Sequence, residues 1–248
     1  MHATRPSAIV RILLAAGAVM IAAGSMLSAQ AHSVQPMRFD LRPSGSGSQT
    51  TLTVENTRAY PITLEILVDA LTFGEDGEEV LTSSEDDFLV FPPQMMIEPG
   101  KTQSVRVRYI GDPTIKESRA YRIHVNQIPV DLTGEQRSGV ALAVNFATLV
   151  NVVPAGAKPK VVASAVEEAP GGYARLSLMN EGKAYARLLD MRLALTANGE
   201  RQVYDGKAME PWLNGASNLM LPGTQRELIV PLPDGFTATN MEVALLAQ

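Results

Sequence analysis

Short segments in which apolar and polar residues alternate follow one another through most of this chain, and each ends in a turn signal. An alternation of period two indicates β-strands, because successive side chains of a strand point to opposite faces of a sheet. In KTQSVRVRYI (101–110), for example, Val105, Val107 and Tyr109 alternate with polar residues. About seven such segments, with turn signals roughly every 8–15 residues, precede residue 154. That spacing is typical of an antiparallel immunoglobulin-like sandwich, so we predict an all-β fold.

A second series of strand-like segments follows the stretch PAGAKPK (154–160), whose proline, glycine and alanine residues interrupt the periodicity. We therefore interpret this stretch as a linker. The chain is predicted to form two domains, a first of residues 32–155 and a smaller β-domain of residues 160–248. No sequence repeat is apparent between them. Domains of this size can bury enough apolar surface to be stable.

Residues 1–31 are predicted to be a secretory signal. Arg5 and Arg11 precede an apolar run over residues 12–26, and the segment ends in the small-residue motif AQA, after which we place the cleavage site. The alternative is an uncleaved membrane anchor, since the run is nearly long enough to span a bilayer. Glycines within the run and the AQA motif favour cleavage. The sequence has no second run of that length, so we expect no stable membrane insertion of the remaining chain.

Composition excludes several classes of protein. Removing Arg5 and Arg11 from the 21 basic residues leaves 19 against 26 acidic residues, a formal charge of −7. An acidic chain of this kind is a poor match for nucleic acid or for an anionic membrane surface. The sequence has no cysteine, which excludes disulfides, cysteine-ligated metals and thiol catalysis.

No group of residues predicts catalysis or a metal site. His2 lies in the signal, His32 is expected to be a solvated chain end, and His124 lies within a strand without a second histidine for a metal. The motifs G-x-S-x-G, H-E-x-x-H and the P-loop are absent. The acidic turns GEDGEE (74–79) and SSEDD (83–87) lack the oxygen spacing of a calcium loop. We therefore predict neither an enzyme nor a cofactor.

The stretch GVALAVNFATLVNVVP (139–154) has bulky residues at every second position, namely Val140, Leu142, Val144 and Phe146. Burial of these four side chains is worth about 6–12 kcal/mol, whereas a whole domain is stable by only about 5–15 kcal/mol. Something must therefore cover this face. The pattern alone leaves two interpretations, an ordinary core strand or a long strand that runs past its own core. Beyond Thr148 apolar residues occupy both faces, so we predict that this part is buried on two sides, which suits a long strand whose residues 140–146 project. The alternation by itself favours the ordinary core strand.

Five segments follow one another in a specific order, MRFDL, VEN, FPPQMMIEPGKTQSVRVRY, ESRAYRIHVNQIP and the apolar strand that ends at Pro154. In residue content and order they resemble the periplasmic pilus-assembly chaperones of the chaperone–usher pathway. LMNEGKAYARLLDM and LMLPGTQREL resemble the smaller C-terminal domain of that family, so the resemblance covers essentially the whole chain after residue 31. The absence of cysteine and the VNVVP ending favour the branch that serves spore-coat-protein-U-like or archaic fimbriae.

The resemblance implies two immunoglobulin-like sandwiches set at an angle with a cleft between them. It also implies a periplasmic chaperone that binds incomplete pilin subunits, completes their fold with one of its own strands and delivers them to an outer-membrane usher. The donor positions, counted back from Pro154, fall on Val140, Leu142 and Val144, with Phe146 as a fourth. Self-association of the free chaperone is left open.

Two basic side chains in the cleft are further implied, and they would bind the terminal carboxylate of the client. Arg38 in MRFDL matches the first of them, and Arg42 is the alternative if the strand shifts. A guanidinium suits this role because it binds a carboxylate through two hydrogen bonds. A solvated surface charge is the ordinary alternative for Arg38.

The second basic residue of the family is missing, because Leu149 occupies the matching position. Either Arg119 or Arg122, on the neighbouring strand, substitutes for it, or the carboxylate is anchored more weakly in this protein. For Arg119 we favour a structural role, an interdomain ion pair with Glu117 near the domain junction.

Two other classes are weighed against the chaperone. A secreted structural fimbrial subunit or adhesin would usually have a single domain and a disulfide, whereas this chain is predicted to have two domains and has no cysteine. A carbohydrate-binding or hydrolytic sandwich would need aromatic residues or paired acids, whereas the sequence has one tryptophan, Trp212.

Overall fold

A computed structural model describes residues 32–74, 77–128 and 143–247, and this part of the chain is built almost entirely from β-strands. Ten strands precede the predicted linker: β1 (Ser33–Gln35), β2 (Arg38–Leu41), β3 (Gln49–Glu55), β4 (Ile62–Phe73), β5 (Glu79–Ser83), β6 (Phe88–Phe91), β7 (Gln94–Ile97), β8 (Thr102–Tyr109), β9 (Arg119–Ile128) and β10 (Phe146–Val152). Eight follow it: β11 (Val161–Ala169), β12 (Tyr173–Asn180), β13 (Ala186–Arg187), β14 (Met191–Ala197), β15 (Glu200–Tyr204), β16 (Leu219–Met220), β17 (Gln225–Pro231) and β18 (Glu242–Ala247). A short helix, α1, spans Gly206–Met209, and 3-10 turns lie at Ser46–Ser48, Glu85–Asp87, Leu188–Asp190 and Glu210–Leu213.

The first ten strands form two sheets with a shared core. One sheet has the order β1-β3-β8-β6, and the other has the order β2-β10-β9-β4-β5, with β7 paired to β4. On β8, Val105 and Val107 are fully buried and Arg106 between them is exposed, as the alternation predicts. Ile123 and Val150 reach the same core from the other sheet.

The pairing around β10 positions the candidate site. After β1 the chain changes sheets and enters the second one as β2, which runs parallel to β10 and pairs with its residues 149–152. β9 pairs antiparallel with β10 along the whole length of the strand. In the described part of the chain, residues 146–148 of β10 therefore have a neighbouring strand on one side only.

The strands after the linker form a second, separate sandwich. Its sheets have the orders β11-β12-β17 and β15-β14-β18, with a short β13-β16 pair. Leu176 of β12 and Leu193 of β14 are fully buried in its core. Gly206 begins α1 at a close approach to the backbone, because a Cβ there would lie 1.9 Å from the carbonyl oxygen of Leu189. A larger residue at that position would force the helix away from its place on the core.

A third apolar cluster joins the two sandwiches. Leu71 of the first contacts Leu219 and Leu221 of the second in this cluster. Beside it, the hydroxyl of Tyr185 lies 2.9 and 3.0 Å from the two carboxylate oxygens of Asp40, to which it donates. The junction therefore combines apolar burial with a hydrogen bond to a charged group.

The predicted all-β fold with two immunoglobulin-like sandwiches is confirmed. The boundaries 32–155 and 160–248 stay predictions, and the predicted signal, residues 1–31, lies outside the described residues. No helix within the described ranges is long and apolar enough to cross a membrane.

Candidate functional site

The back half of β10, residues 149–152, is covered on both faces. Val150 and Val152 are fully buried in the first core. On the opposite face, Leu149 packs into the junction cluster, and the buried Asn151 donates from its side-chain amide to Asp40 at 3.0 Å. The predicted burial on two sides is confirmed, because the second sandwich helps to cover the outer face.

Residues 143–147, before this back half, are less enclosed. Val140 and Leu142 lie outside the described residues, and Val144 and Phe146 are half-buried. Phe146 contacts the first core, and its ring packs edge-on against His32 with the ring centroids 4.7 Å apart. Because strand faces repeat every two residues, Phe146 shares the face of the core residues further along β10. The assignment of the four residues as a donor face stays a prediction.

His32 is buried, with 2% of its surface exposed, so the expectation of a solvated chain end is wrong. His32 comes two residues before the buried Val34 of β1, and its ring packs on Phe146. Burial lowers the pKa of His32, and the positive charge of Arg58 lowers it further. The two-residue spacing of His32 and Val34 was the sequence signal for this burial.

Arg38 is exposed on β2, at the register position beside Leu149. Within the described ranges its guanidinium has no ion pair or side-chain hydrogen bond. Burial raises the pKa of Tyr185, the carboxylate of Asp40 raises it further, and the charge of Arg38 acts against that rise. Arg38 therefore lies close to the junction of the two sandwiches and has its hydrogen-bond donors available.

Arg42, the alternative anchor, is already engaged. Its Nη1 donates to the carbonyl oxygens of Val153 and Pro154, each at 3.3 Å, and so ties down the end of β10. Arg42 also lines an open cavity of about 840 Å³ together with Lys116 and Lys158. It lies at the opposite end of β2 from Arg38.

Arg122 lies across Leu149 from Arg38. Leu149 pairs in register with Arg38 on β2 and with Arg122 on β9, and partners in register project from the same face of a sheet. The Arg122 guanidinium forms an ion pair with Glu79 of β5, with Nη2–Oε1 and Nη2–Oε2 distances of 2.6 and 2.8 Å. Two arginines therefore flank Leu149, the position at which the sequence resemblance implies a second basic residue.

Arg119 is separated from this pair. It is an odd-numbered residue of β9, so it projects from the face opposite to that of Arg122. The predicted partner of Arg119, Glu117, forms its ion pair with Lys183 of the second sandwich instead. An ion pair does link the two sandwiches through Glu117, but the predicted cation, Arg119, is wrong. Nothing in the local sequence around Glu117 points to Lys183.

Among the described residues, no group of three or more histidine or acidic side chains is arranged to hold a metal ion. His124 and Asp69 form a pair, in which Nε2 of His124 lies 3.0 Å from Oδ2 of Asp69. That pair is on the same sheet face as Arg122, because Asp69 and Arg122 are register partners.

Comparison with known proteins adds a family. Residues 33–158, about half of the chain, match the family described as "Pili and flagellar-assembly chaperone, PapD N-terminal domain". No match was found among curated protein sequences.

Solved structures with the same fold cover both sandwiches. The class 5 fimbriae chaperone CfaA is 15% identical with a TM-score of 0.55, and the match covers 88% of this chain and 100% of CfaA. CsuC of Acinetobacter baumannii, solved with the tip subunit CsuE of archaic chaperone–usher pili, is 15% identical with a TM-score of 0.54 over 87% of this chain and 97% of that one. The E. coli chaperone DraB is 21% identical with a TM-score of 0.53 over 88% and 96%. Identities this low establish a common fold, and the branch of the family stays a prediction.

Proposed function

This chain belongs to the family of pili and flagellar-assembly chaperones, and we propose that it acts in the periplasm on incomplete pilin subunits. It binds a subunit by lending the strand around β10, keeps that subunit from aggregating and delivers it to an outer-membrane usher. The signal-like sequence of residues 1–31 supports the periplasmic location.

The observation that carries the proposal is the division of β10 into two halves. Residues 149–152 are held between β2 and β9, whereas residues 146–148 have β9 on one side and no described strand on the other. An unpaired strand edge is a ready template for another chain, because its N–H and C=O groups seek partners. The rigid back half would hold the front half in place for a client strand.

Side-chain spacing supports the same strand. Phe146 continues the face of Val150 and Val152, which are buried in the protein's own core. Val140, Leu142 and Val144 extend that spacing by two residues at a time, so a client groove would meet a row of apolar side chains. Insertion of this row into pockets fixes the register, while the backbone pairing supplies affinity.

The client's terminal carboxylate has a candidate anchor in Arg38. This guanidinium is exposed and unpaired within the described ranges, and it lies on the outer face beside the back half of β10. Arg122, on the other side of Leu149, is the second cation of the proposed anchor. A carboxylate between two guanidinium groups is strongly held, because charge-assisted hydrogen bonds are about twice as strong as neutral ones.

Co-expression with candidate pilin subunits, chosen from the open reading frames next to this gene, tests the proposal. We expect the wild-type chain to co-purify with the subunit and Leu142→Asp to lose it, because a charge on the donor face would be buried without a partner. Ala143→Asp is the matched control, since Ala143 is exposed and belongs to the opposite set of alternating residues. Retention of the subunit by Leu142→Asp would contradict strand donation.

A further inference from the structure

One row of side chains crosses the outer face of the second sheet at the level of Leu149. Arg38 of β2, Leu149 of β10, Arg122 of β9 and Asp69 of β4 are successive register partners in neighbouring strands. Their side chains therefore leave the same face of the sheet in adjacent positions. The row contains two cations. Arg38 has no ion pair among the described residues, whereas Arg122 is paired with Glu79.

Arg122 is occupied in the way that a carboxylate ligand would occupy it. Its Nη2 lies 2.6 and 2.8 Å from the two oxygens of Glu79, and its Nε donates to Oε2 at 3.2 Å. This is the fork arrangement that suits a guanidinium and a carboxylate. A terminal carboxylate that approached Arg122 would need the same donors, so it would compete directly with Glu79.

The ion pair is accessible enough to exchange. The side chains of Arg122 and Glu79 are 22% and 31% exposed, and Glu79 begins β5, an edge strand whose five residues are all exposed. Water screens a partly exposed pair of this kind, so giving it up costs less than giving up a fully buried pair. A ligand that also gains hydrogen bonds from Arg38 can therefore displace it.

The other charges of the row favour this exchange. Asp69, the carboxylate next to Arg122 in register, is paired with His124 at 3.0 Å. Arg226 of the second sandwich is within electrostatic reach of Glu79, and its guanidinium stacks on Phe73 at 4.1 Å from the ring centroid. Burial lowers the pKa of Arg226, and the negative charge of Glu79 acts against that decrease. A displaced Glu79 thus stays close to a second positive charge.

From this arrangement we propose that Glu79 is an internal stand-in for the client's terminal carboxylate. In the free chaperone it holds Arg122 away from Arg38, and on binding it gives Arg122 up to the client, so that the two-arginine anchor forms only in the complex. Glu79 is a positioning residue, because it acts through Arg122. The inference rests on the proposed chaperone function. It identifies Glu79 as the residue whose ion pair must break before Arg122 binds the client's carboxylate.

The test uses the full chain and two synthetic peptides with the C-terminal sequence of a subunit that co-purifies with the wild-type chain, one with a free carboxylate and one with a terminal amide. Binding is measured by fluorescence polarisation for the wild type, Glu79→Gln, Arg122→Gln and the double variant. Glu79→Gln should bind the free-acid peptide about threefold to tenfold more tightly, because the competitor has lost its charge. Its affinity for the amide peptide should not change. The double variant should bind like Arg122→Gln, since Glu79 acts through that arginine.

Glu181→Gln is the matched control. It removes another exposed carboxylate from an ion pair, with Lys160 at 2.7 Å, but lies in the second sandwich outside the row. An unchanged free-acid affinity of Glu79→Gln, or an equal change for both peptides, overturns the inference and leaves strand donation standing. A wild type that binds neither peptide and retains no subunit overturns the proposed function and the inference together.

Discussion

At the scale of single residues, His32 is a polar side chain buried without a hydrogen-bond partner in the described part of the chain. It is 2% exposed, and neither ring nitrogen has a hydrogen-bond partner among the described residues. A buried polar group without a partner costs free energy, and a charged one costs more. Folding therefore favours the neutral ring, and the nearby guanidinium of Arg58 acts in the same direction.

Stability should consequently depend on pH through His32. Its pKa in the folded protein lies below the ordinary value of 6.5, so its contribution is fully present above pH 6.5. As the pH falls below 6.5, the unfolded chain binds a proton that the folded chain resists, and the free energy of unfolding decreases. His32→Phe keeps a ring against Phe146 and cannot be protonated, so its loss of stability from pH 7.5 to 5.5 should be smaller.

Urea unfolding at several pH values measures this effect. His124→Gln is the control, because it removes a different histidine, one that is half-buried beside Asp69. Equal pH slopes for the wild type and His32→Phe would show that the ring at position 32 is not the responsive group.

At the scale of elements, β10 performs two tasks in one strand. Its back half belongs to the core, where Val150 is fully buried, and its front half has an open edge. Deleting buried methyl groups destabilises a fold, because burial is lost and a cavity remains. A polar substitution at the half-buried Val144, which precedes the open edge, should mainly weaken binding of the client subunit.

The two halves should therefore respond differently to mutation. Val150→Ala is expected to lower the free energy of unfolding by about 1.5–3 kcal/mol, with subunit still retained under native conditions. Val144→Asp is expected to cost less in stability and to abolish co-purification of the subunit. Chemical denaturation and co-purification of both variants measure the two effects, and a similar loss of stability in both would argue against a divided strand.

Sequence reasoning reached the strands more reliably than their pairing. The alternation of Val105, Val107 and Tyr109 predicts which residues are buried, because the period depends on the strand alone. The placement of Arg122 beside Leu149 depends on the register of β9 against β10, which no local pattern encodes. For the same reason the cation that pairs with Glu117 was assigned wrongly, since Lys183 comes from the other sandwich.

At the scale of the whole molecule, the junction links the second sandwich to the strand that carries the proposed function. Asp40 of β2 accepts hydrogen bonds from Asn151 of β10 and from Tyr185 of the second sandwich. The Lys183–Glu117 pair is largely solvated, with side chains 63% and 49% exposed, so it contributes little. The half-buried Tyr185 is thus a polar contact through which the second sandwich can order the strand beside β10.

Tyr185→Phe should loosen the junction without unfolding either core. It keeps the ring in the apolar cluster and removes the hydrogen bond to Asp40, at an expected cost of about 1 kcal/mol after allowance for its partial exposure. Amide exchange at residues 149–152 should become faster, because Asp40 of the neighbouring β2 would lose its hydrogen bond to the second sandwich and keep only the one from Asn151. Tyr173→Phe, an exposed tyrosine of β12, is the control and should change neither quantity. Unchanged amide exchange in Tyr185→Phe would mean that β2 and β9 hold the back half of β10 without help from the hydrogen bond of the second sandwich.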